Sequence, residues 1–198
     1  MPKVGIEPIR RQQLIEATIS AISEHGFADT TISRISRAAG VSAGIIHHYF
    51  GGKNELLEAA MRSLLQDLHA EVSRRLEGVS DPRERLYAII DGNFTEAQFA
   101  PQAITAWMAL WNQARYAPAL ARLQRIYARR LRSNLLHALR QLLSPGEAER
   151  AAFALAVMID GLSLQSALRP DGVPPQEARA LVRDYLDRLL EQPQLAAV

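Results

Sequence analysis

The stretch Thr31-Ile32-Ser33-Arg34-Ile35-Ser36-Arg37-Ala38-Ala39-Gly40-Val41-Ser42-Ala43-Gly44-Ile45-Ile46-His47-His48-Tyr49-Phe50 decides the fold. Thr31 caps a short helical segment, Ile32 to Ala39. Gly40-Val41-Ser42 then turns the chain, and Ser42 caps a second short segment, Ala43 to Tyr49. Ile32, Ile35, Ala38, Ala39, Val41, Ile45 and Ile46 form small apolar faces that let the two segments pack closely. Ser33, Arg34, Arg37, Ala43, His47, His48 and Tyr49 are left on the outside. These lengths and this turn are those of a helix-turn-helix, and small leading residues such as Ser42, Ala43 and Gly44 suit insertion into a major groove. His47, His48 and Tyr49 stand where base edges or phosphates are reached, and Lys53 can meet a phosphate. An ordinary αα-hairpin with a polar wet face has the same spacing, so the pattern alone leaves both readings open.

Working outward, nearly every segment has helical period and none alternates like a half-buried strand, which predicts an all-α protein. Leu14, Ile15, Thr18, Ile19 and Ile22 stripe a first helix that Gly26 stops. Gly51-Gly52 precedes a long fourth helix with Leu56, Leu57, Ala60, Met61, Leu64, Leu65, Leu68, Val72 and Leu76 on one side. Asp81-Pro82-Arg83-Glu84 and Ser144-Pro145-Gly146-Glu147 are N-terminal capping signatures, and Pro101, Pro118 and Pro174-Pro175 open further helices. Nine helices are expected: a three-helix head within 8–68, and a C-terminal ligand-binding and dimerisation domain over 69–198 joined to it by the fourth helix.

The eighth helix is apolar almost all round from Ala151 to Leu168. The ninth carries a broad stripe of Ala178, Leu181, Val182, Tyr185, Leu186, Leu189 and Leu190. Such helices need cover on several sides, so a homodimer through these last two helices is expected, the alternative being that they only complete a monomer core.

Composition narrows the function classes. The 198 residues are 48% hydrophobic, enough for one or two compact units, and no run of about 18 uncharged apolar residues occurs. A soluble cytoplasmic protein without a membrane partner is expected. Absence of cysteine excludes disulfides and thiolate metal sites. The net charge of +2 is uneven, because Lys3, Arg10, Arg11, Arg34, Arg37 and Lys53 face only Glu7, Glu16, Glu24 and Asp29 up to residue 54, and the rest balances. That surplus points to a polyanion at the N-terminal end. His25, His47, His48, His69 and His137 are scattered, with no paired-His metal motif and no phosphate loop, so neither an enzyme nor a cofactor is expected. Arg122, Arg125, Arg129 and Arg132 recur on one helix face and read most simply as solvated.

The residues also carry a resemblance. Arg11 to Ala17, Ile35 with Ala38-Ala39-Gly40-Val41-Ser42, Gly44 with Tyr49-Phe50, and Lys53 with Leu56-Leu57 look like the N-terminal domain of the TetR family of repressors. Met1-Pro2-Lys3-Val4-Gly5, Pro8-Ile9-Arg10-Arg11, Gly44-Ile45-Ile46, His48-Tyr49-Phe50, Asp91-Gly92-Asn93-Phe94 and Ile159-Asp160-Gly161-Leu162 resemble the choline-responsive BetI-type repressors. That resemblance implies a dimer on a palindromic operator of genes for choline uptake and glycine betaine synthesis, released by choline. It makes Thr31, Ser42, Tyr49 and Lys53 phosphate contacts and Ala43, Gly44, His47 and His48 groove-facing, with Ser33 and Arg34 beside them and Phe50 in the core. Alanine at 43 and isoleucine at 45 replace the long polar base readers common in the family.

A quaternary ammonium is held by aromatic faces, each contributing about 0.5–2 kcal/mol. Trp107 and Trp111 share one helix face, Phe94 and Tyr127 lie on neighbouring helices, and Asp91 and Asp160 are acids in apolar surroundings. These six are the candidate ligand residues, although a tryptophan pair at this spacing is more often plain core. A regulator answering another cationic or aromatic molecule, or none, is the alternative.

Overall fold

The computed structural model describes residues 6–191. Lys3 and the Met1 to Gly5 part of the resemblance lie outside the described residues. Ten helices occur among the described residues and no strand: α1 (Ile6–Asp29), α2 (Ile32–Ala38), α3 (Ala43–Phe50), α4 (Lys53–Leu76), α5 (Pro82–Asn93), α6 (Glu96–Phe99), α7 (Pro101–Gln113), α8 (Pro118–Leu139), α9 (Pro145–Leu168) and α10 (Pro175–Glu191). All nine expected helices are present. The addition, α6, is a single turn whose Gln98 amide donates to the Thr95 hydroxyl at 3.2 Å.

The start and stop chemistry works locally as the side chains dictate. Gly26 interrupts α1 with φ 74°, a backbone that L side chains rarely adopt. The buried Thr30 hydroxyl reaches the carbonyls of Gly26 at 2.6 Å and Ala21 at 3.2 Å, fixing the corner that follows. Thr31 accepts the Arg34 amide at 3.2 Å and Asp81 the Glu84 amide at 2.9 Å, each satisfying an otherwise orphaned donor. The Glu147 carboxylate accepts the Ser144 amide at 3.1 Å. Ser42 differs from expectation. It occupies the N-cap position of α3 in extended backbone, but its hydroxyl makes no capping bond and stays exposed.

The chain forms two compact units. One comprises residues up to Asp67 together with Ala100–Gln124, and the other Leu68–Phe99 together with Arg125 onward. The sequence reading assigned 100–124 to the second domain. The chain instead returns to the first unit there because α7, with Ala103, Ile104, Ala106, Trp107 and Leu110 buried, packs against α1. Period and capping mark where a helix begins, not which partner it finds.

In the first unit Leu14, Ala21, Ile35, Ile46, Phe50 and Leu56 form the head core, with Ile32, Ala39, Val41 and Ile45 packed around it. Each large apolar side chain buried there contributes about 1.5–3 kcal/mol. In the second unit α10 packs on α5 and α9. Gly92 of α5 faces α4 so closely that a Cβ would stand 2.7 Å from Val72 Cγ2 and 3.1 Å from its Cα, which only glycine permits. By length and composition α9 could cross a membrane, with a mean hydropathy of 1.6 in its most apolar window. Ala148, Ala151, Ala152, Leu155 and Ile159 nevertheless pack into the unit.

Candidate nucleic-acid interface and ligand residues

Side chains on the wet face of the head follow directly from what its core consumes. With Ile35, Ile46 and Phe50 turned inward, Thr31, Ser33, Arg34, Ser42, Ala43, Gly44, His47 and His48 are exposed, and Tyr49 and Lys53 are half-buried. Thr31 uses an oxygen lone pair for its cap and keeps its O–H proton to donate outward. His47 Nδ1 lies 3.2 Å from the Gly51 carbonyl; with the proton on Nδ1, Nε2 is left as an outward acceptor. His48 and Tyr49 rings meet edge to face at 5.1 Å. Arg34 is partly committed, its Nη1 donating to the Asp29 carbonyl at 2.7 Å. A Cβ at Gly44 would meet nothing nearer than Ser42 Oγ at 3.9 Å, so the fold itself does not require glycine there.

Sequence reasoning missed the side chain that ties this face to α1. Arg11 Nη1 donates to the Tyr49 carbonyl, and its guanidinium lies 4.4 Å from the Phe50 ring centroid. It holds the C-terminal end of α3 by a charge-assisted bond and a cation–π contact. Its partner is 38 residues away, beyond the reach of any periodicity.

The six candidate ligand residues do not all keep that role. Asp91 is already neutralised. Arg183 donates to both its oxygens, at 3.0 and 2.6 Å, and the same guanidinium lies 4.5 Å from the Tyr87 ring, so this carboxylate holds α10 on α5 rather than waiting for a cation. Phe94 is core, 1% exposed and 5.4 Å from the Phe99 ring. With Gly92 against Val72 and Asn93 donating to the Ile89 carbonyl at 2.8 Å, the whole Asp91-Gly92-Asn93-Phe94 stretch is structural.

Tyr127 and Asp160 are brought together in the second unit, the phenol donating to the carboxylate at 2.8 Å. Burial, and then the neighbouring charge of Asp160, push the Tyr127 hydroxyl well above its ordinary pKa. Burial raises the Asp160 carboxyl above its ordinary 3.8 despite the Tyr127 hydrogen bond, which pulls the other way. No cationic side chain among the described residues pairs with Asp160. Trp107 and Trp111 belong to the first unit, their rings 6.3 Å apart and tilted by 40°. In that unit the Trp111 Nε1 donor and the Gln124 Oε1 acceptor are buried without a partner; Gln124 drew no notice in the sequence because glutamine on a helix carries no distinctive signal. Among the described residues no three His, Asp or Glu side chains are grouped to hold a metal ion.

A short helix pair with a glycine turn, a polar small-residue face and a basic surplus, carried on an all-helical chain, defines a helix-turn-helix DNA-binding protein. Residues 14–60 match the bacterial regulatory proteins of the tetR family, and residues 82–191 match the BetI-type transcriptional repressor C-terminal domain. A relative from Chromohalobacter salexigens, HTH-type transcriptional regulator BetI 1, is 52% identical over 191 residues, spanning 96% of this chain and 95% of that protein. A transcriptional regulator from Pseudomonas aeruginosa PAO1 superposes with a TM-score of 0.80 at 30% identity, over 92% of this chain and 91% of that one. A regulator from Saccharomonospora viridis, solved in complex with choline, shares the fold at a TM-score of 0.77 and 20% identity, over 89% of this chain and 95% of that one. The chain therefore belongs to the BetI-type transcriptional repressors of the TetR family. Like these relatives it is a transcription regulator rather than an enzyme.

Proposed function

We propose that the protein is a cytoplasmic homodimeric repressor of genes for choline uptake and glycine betaine synthesis, bound to a palindromic operator and released by choline. The observation that carries the ligand reading is Asp160, a half-buried carboxylate partnered by a phenol and, among the described residues, by no cation. Burying an uncompensated carboxylate costs several kcal/mol, and a quaternary ammonium supplies the missing charge while the Tyr127 ring supplies an aromatic surface. In the first unit, the Trp111 N–H and the Gln124 carbonyl, both without a partner among the described residues, are polar groups that a hydroxyl can satisfy, since it both accepts and donates. The choline complex of the Saccharomonospora viridis regulator supports choline as the cation.

On the DNA side, Thr31, Ser42, Tyr49 and Lys53 anchor phosphates, and Ser33, Arg34, Ala43, Gly44, His47 and His48 face the groove. Gly44 has no internal reason to lack a side chain, which fits a close backbone approach to the duplex. With His47 and His48 as the larger groove-facing groups, base choice leans on them and on DNA shape.

The dimer reading rests on α9. Phe153, Val157, Leu164 and Leu168 are exposed and recur at steps of four and seven, a strip within about 60° of arc on the helix, with Gly161 open along the same stretch and Leu181 exposed on α10. Two such strips facing each other form a four-helix contact. Two copies of α3 then reach successive major grooves about 34 Å apart. Choline that binds the operator-incompetent spacing more tightly shifts the population; a 100-fold loss of operator affinity needs about 2.7 kcal/mol of differential binding.

A gel shift of the pure protein on the DNA upstream of its own gene, with and without saturating choline, tests this. Release by choline is expected, and Trp111→Ala should blunt release while leaving operator affinity near wild type. Unchanged operator affinity at saturating choline refutes the choline reading.

A further inference from the structure

Between Glu96 and Glu147 the chain runs fifty residues, 97–146, without an acid, yet it carries Arg115, Arg122, Arg125, Arg129, Arg130, Arg132 and Arg140. Other helices of this protein treat arginine differently. α4 pairs Arg62 with Glu58 and both Arg74 and Arg75 with Glu71, and α10 pairs Arg188 with Asp184, all at helical spacing. α8 carries no acid of its own. Like charges three or four residues apart are mutually destabilising by about 0.2–0.5 kcal/mol per pair, a cost that an external anion offsets.

In the second unit this face is concave. Arg129, Arg132, Ser133, Leu136, His137 and Arg140, at successive steps of three and one along α8 and its exit, line an open surface basin of about 350 Å³. One acid reaches it from α9: Glu149 accepts from Arg132 at 2.5 Å and from Arg140 at 3.1 Å, so a carboxylate is already seen bridging two of the three guanidinium groups. Arg129 has no acidic partner among the described residues. Three guanidinium groups against one carboxylate leave two positive charges in excess.

We propose that this basin is a second ligand site of the protein, taking an organic phosphate monoester. The two excess charges match a monoester, which carries about −1.5 to −2 near pH 7. Guanidinium forks bind phosphate oxygens bidentately, the Ser133 hydroxyl adds a donor, and Leu136 offers an apolar surface to the organic part. The volume lies near the lower end of the roughly 300–1,000 Å³ typical of small-molecule pockets and exceeds what inorganic phosphate fills. A concavity also favours a compact ligand over a nucleic-acid backbone. The site is chemically opposite to the Tyr127–Asp160 pair and does not rest on the choline reading.

Calorimetric titration of the full chain with glucose 6-phosphate tests the proposal, with glucose, inorganic phosphate and sodium chloride at matched ionic strength alongside. Saturable binding of glucose 6-phosphate is expected, tighter than of inorganic phosphate and undetectable for glucose. Affinity should fall about tenfold or more in Arg129→Ala/Arg140→Ala, the loss of strong charge-assisted bonds, and rise in Glu149→Gln, where the competing internal carboxylate is gone. Arg129→Gln, which keeps the helix and the Glu149 bridge, serves if the double variant does not fold. Operator affinity without phosphate should stay at wild type in all of them. The proposal is overturned if glucose 6-phosphate binds no better than chloride or inorganic phosphate, or equally in Arg129→Gln. It is equally overturned if the arginine variants lose affinity only for a non-operator DNA duplex.

Discussion

The recognition helix α3 and the helix α9 both present a face that the chain itself does not cover, and the two faces could hardly differ more. α3 and its N-cap show water a serine, an alanine, a glycine and two histidines; α9 shows it Phe153, Val157, Leu164 and Leu168, the first of them 73% exposed and the last 69%. A polar, low-relief surface suits a hydrated polyanion whose affinity comes from charge and hydrogen bonds. An apolar strip that size has no stable partner in water and suits a second apolar surface. One protein thus displays two kinds of incompleteness, and each specifies the chemistry of what completes it.

The comparison breaks most visibly if the apolar face is made polar. Phe153→Asp/Leu168→Asp should abolish the dimer in sedimentation equilibrium and lower operator affinity by about 100-fold or more, since a single head contacts one half-site. A dimer that survives would return α9 to the role of monomer surface. On the other face, Gly44→Val should cost operator affinity about tenfold with little change in thermal stability, because nothing inside the protein lies against that position. Gly92→Ala makes the opposite prediction. It should leave the exposed residues of α3 untouched and destabilise the fold by about 1–3 kcal/mol, as overpacking against Val72 does, read by chemical denaturation.

A smaller effect separates Asp160, the proposed ligand residue, from both faces. Because burial holds the Asp160 carboxyl above its ordinary pKa, the unfolded chain gives up this proton first as pH rises. The stability linked to its protonated form is therefore present below pH 3.8 and is lost as pH climbs through the raised folded-state value. Asp160→Asn removes that loss while keeping an oxygen for Tyr127. The variant should melt about 2–4 °C higher at neutral pH, the equivalent of roughly 1 kcal/mol in a chain of this size, and should no longer answer choline. A variant no more stable than wild type, with its choline response intact, would remove Asp160 from the ligand site.

How far the sequence carried these conclusions depends on the range of the interaction concerned. The caps at Thr31, Asp81 and Ser144, the stop at Gly26 and the inward turn of Ile35, Ile46 and Phe50 were legible because each is decided within one helical turn or by one apolar stripe. Asp91 looked like a free acid until Arg183, 92 residues on, was found holding it. Gly92 looked like part of a ligand motif until Val72 was found against it. Ser42 had the right residue type at the right position and still left its hydroxyl unbonded.

By itself, then, the sequence determined the helical class, the places where helices begin and end, and the polar face of the head. Those follow from local hydrogen bonding and periodic burial. Only the tertiary structure decided that α7 packs on α1, that Arg11 fastens the end of α3, that Asp160 meets Tyr127 with no cation beside it among the described residues, and that the α8 arginines line a basin. Which charge meets which partner depends on surfaces brought together across tens of residues, and no local pattern encodes that distance.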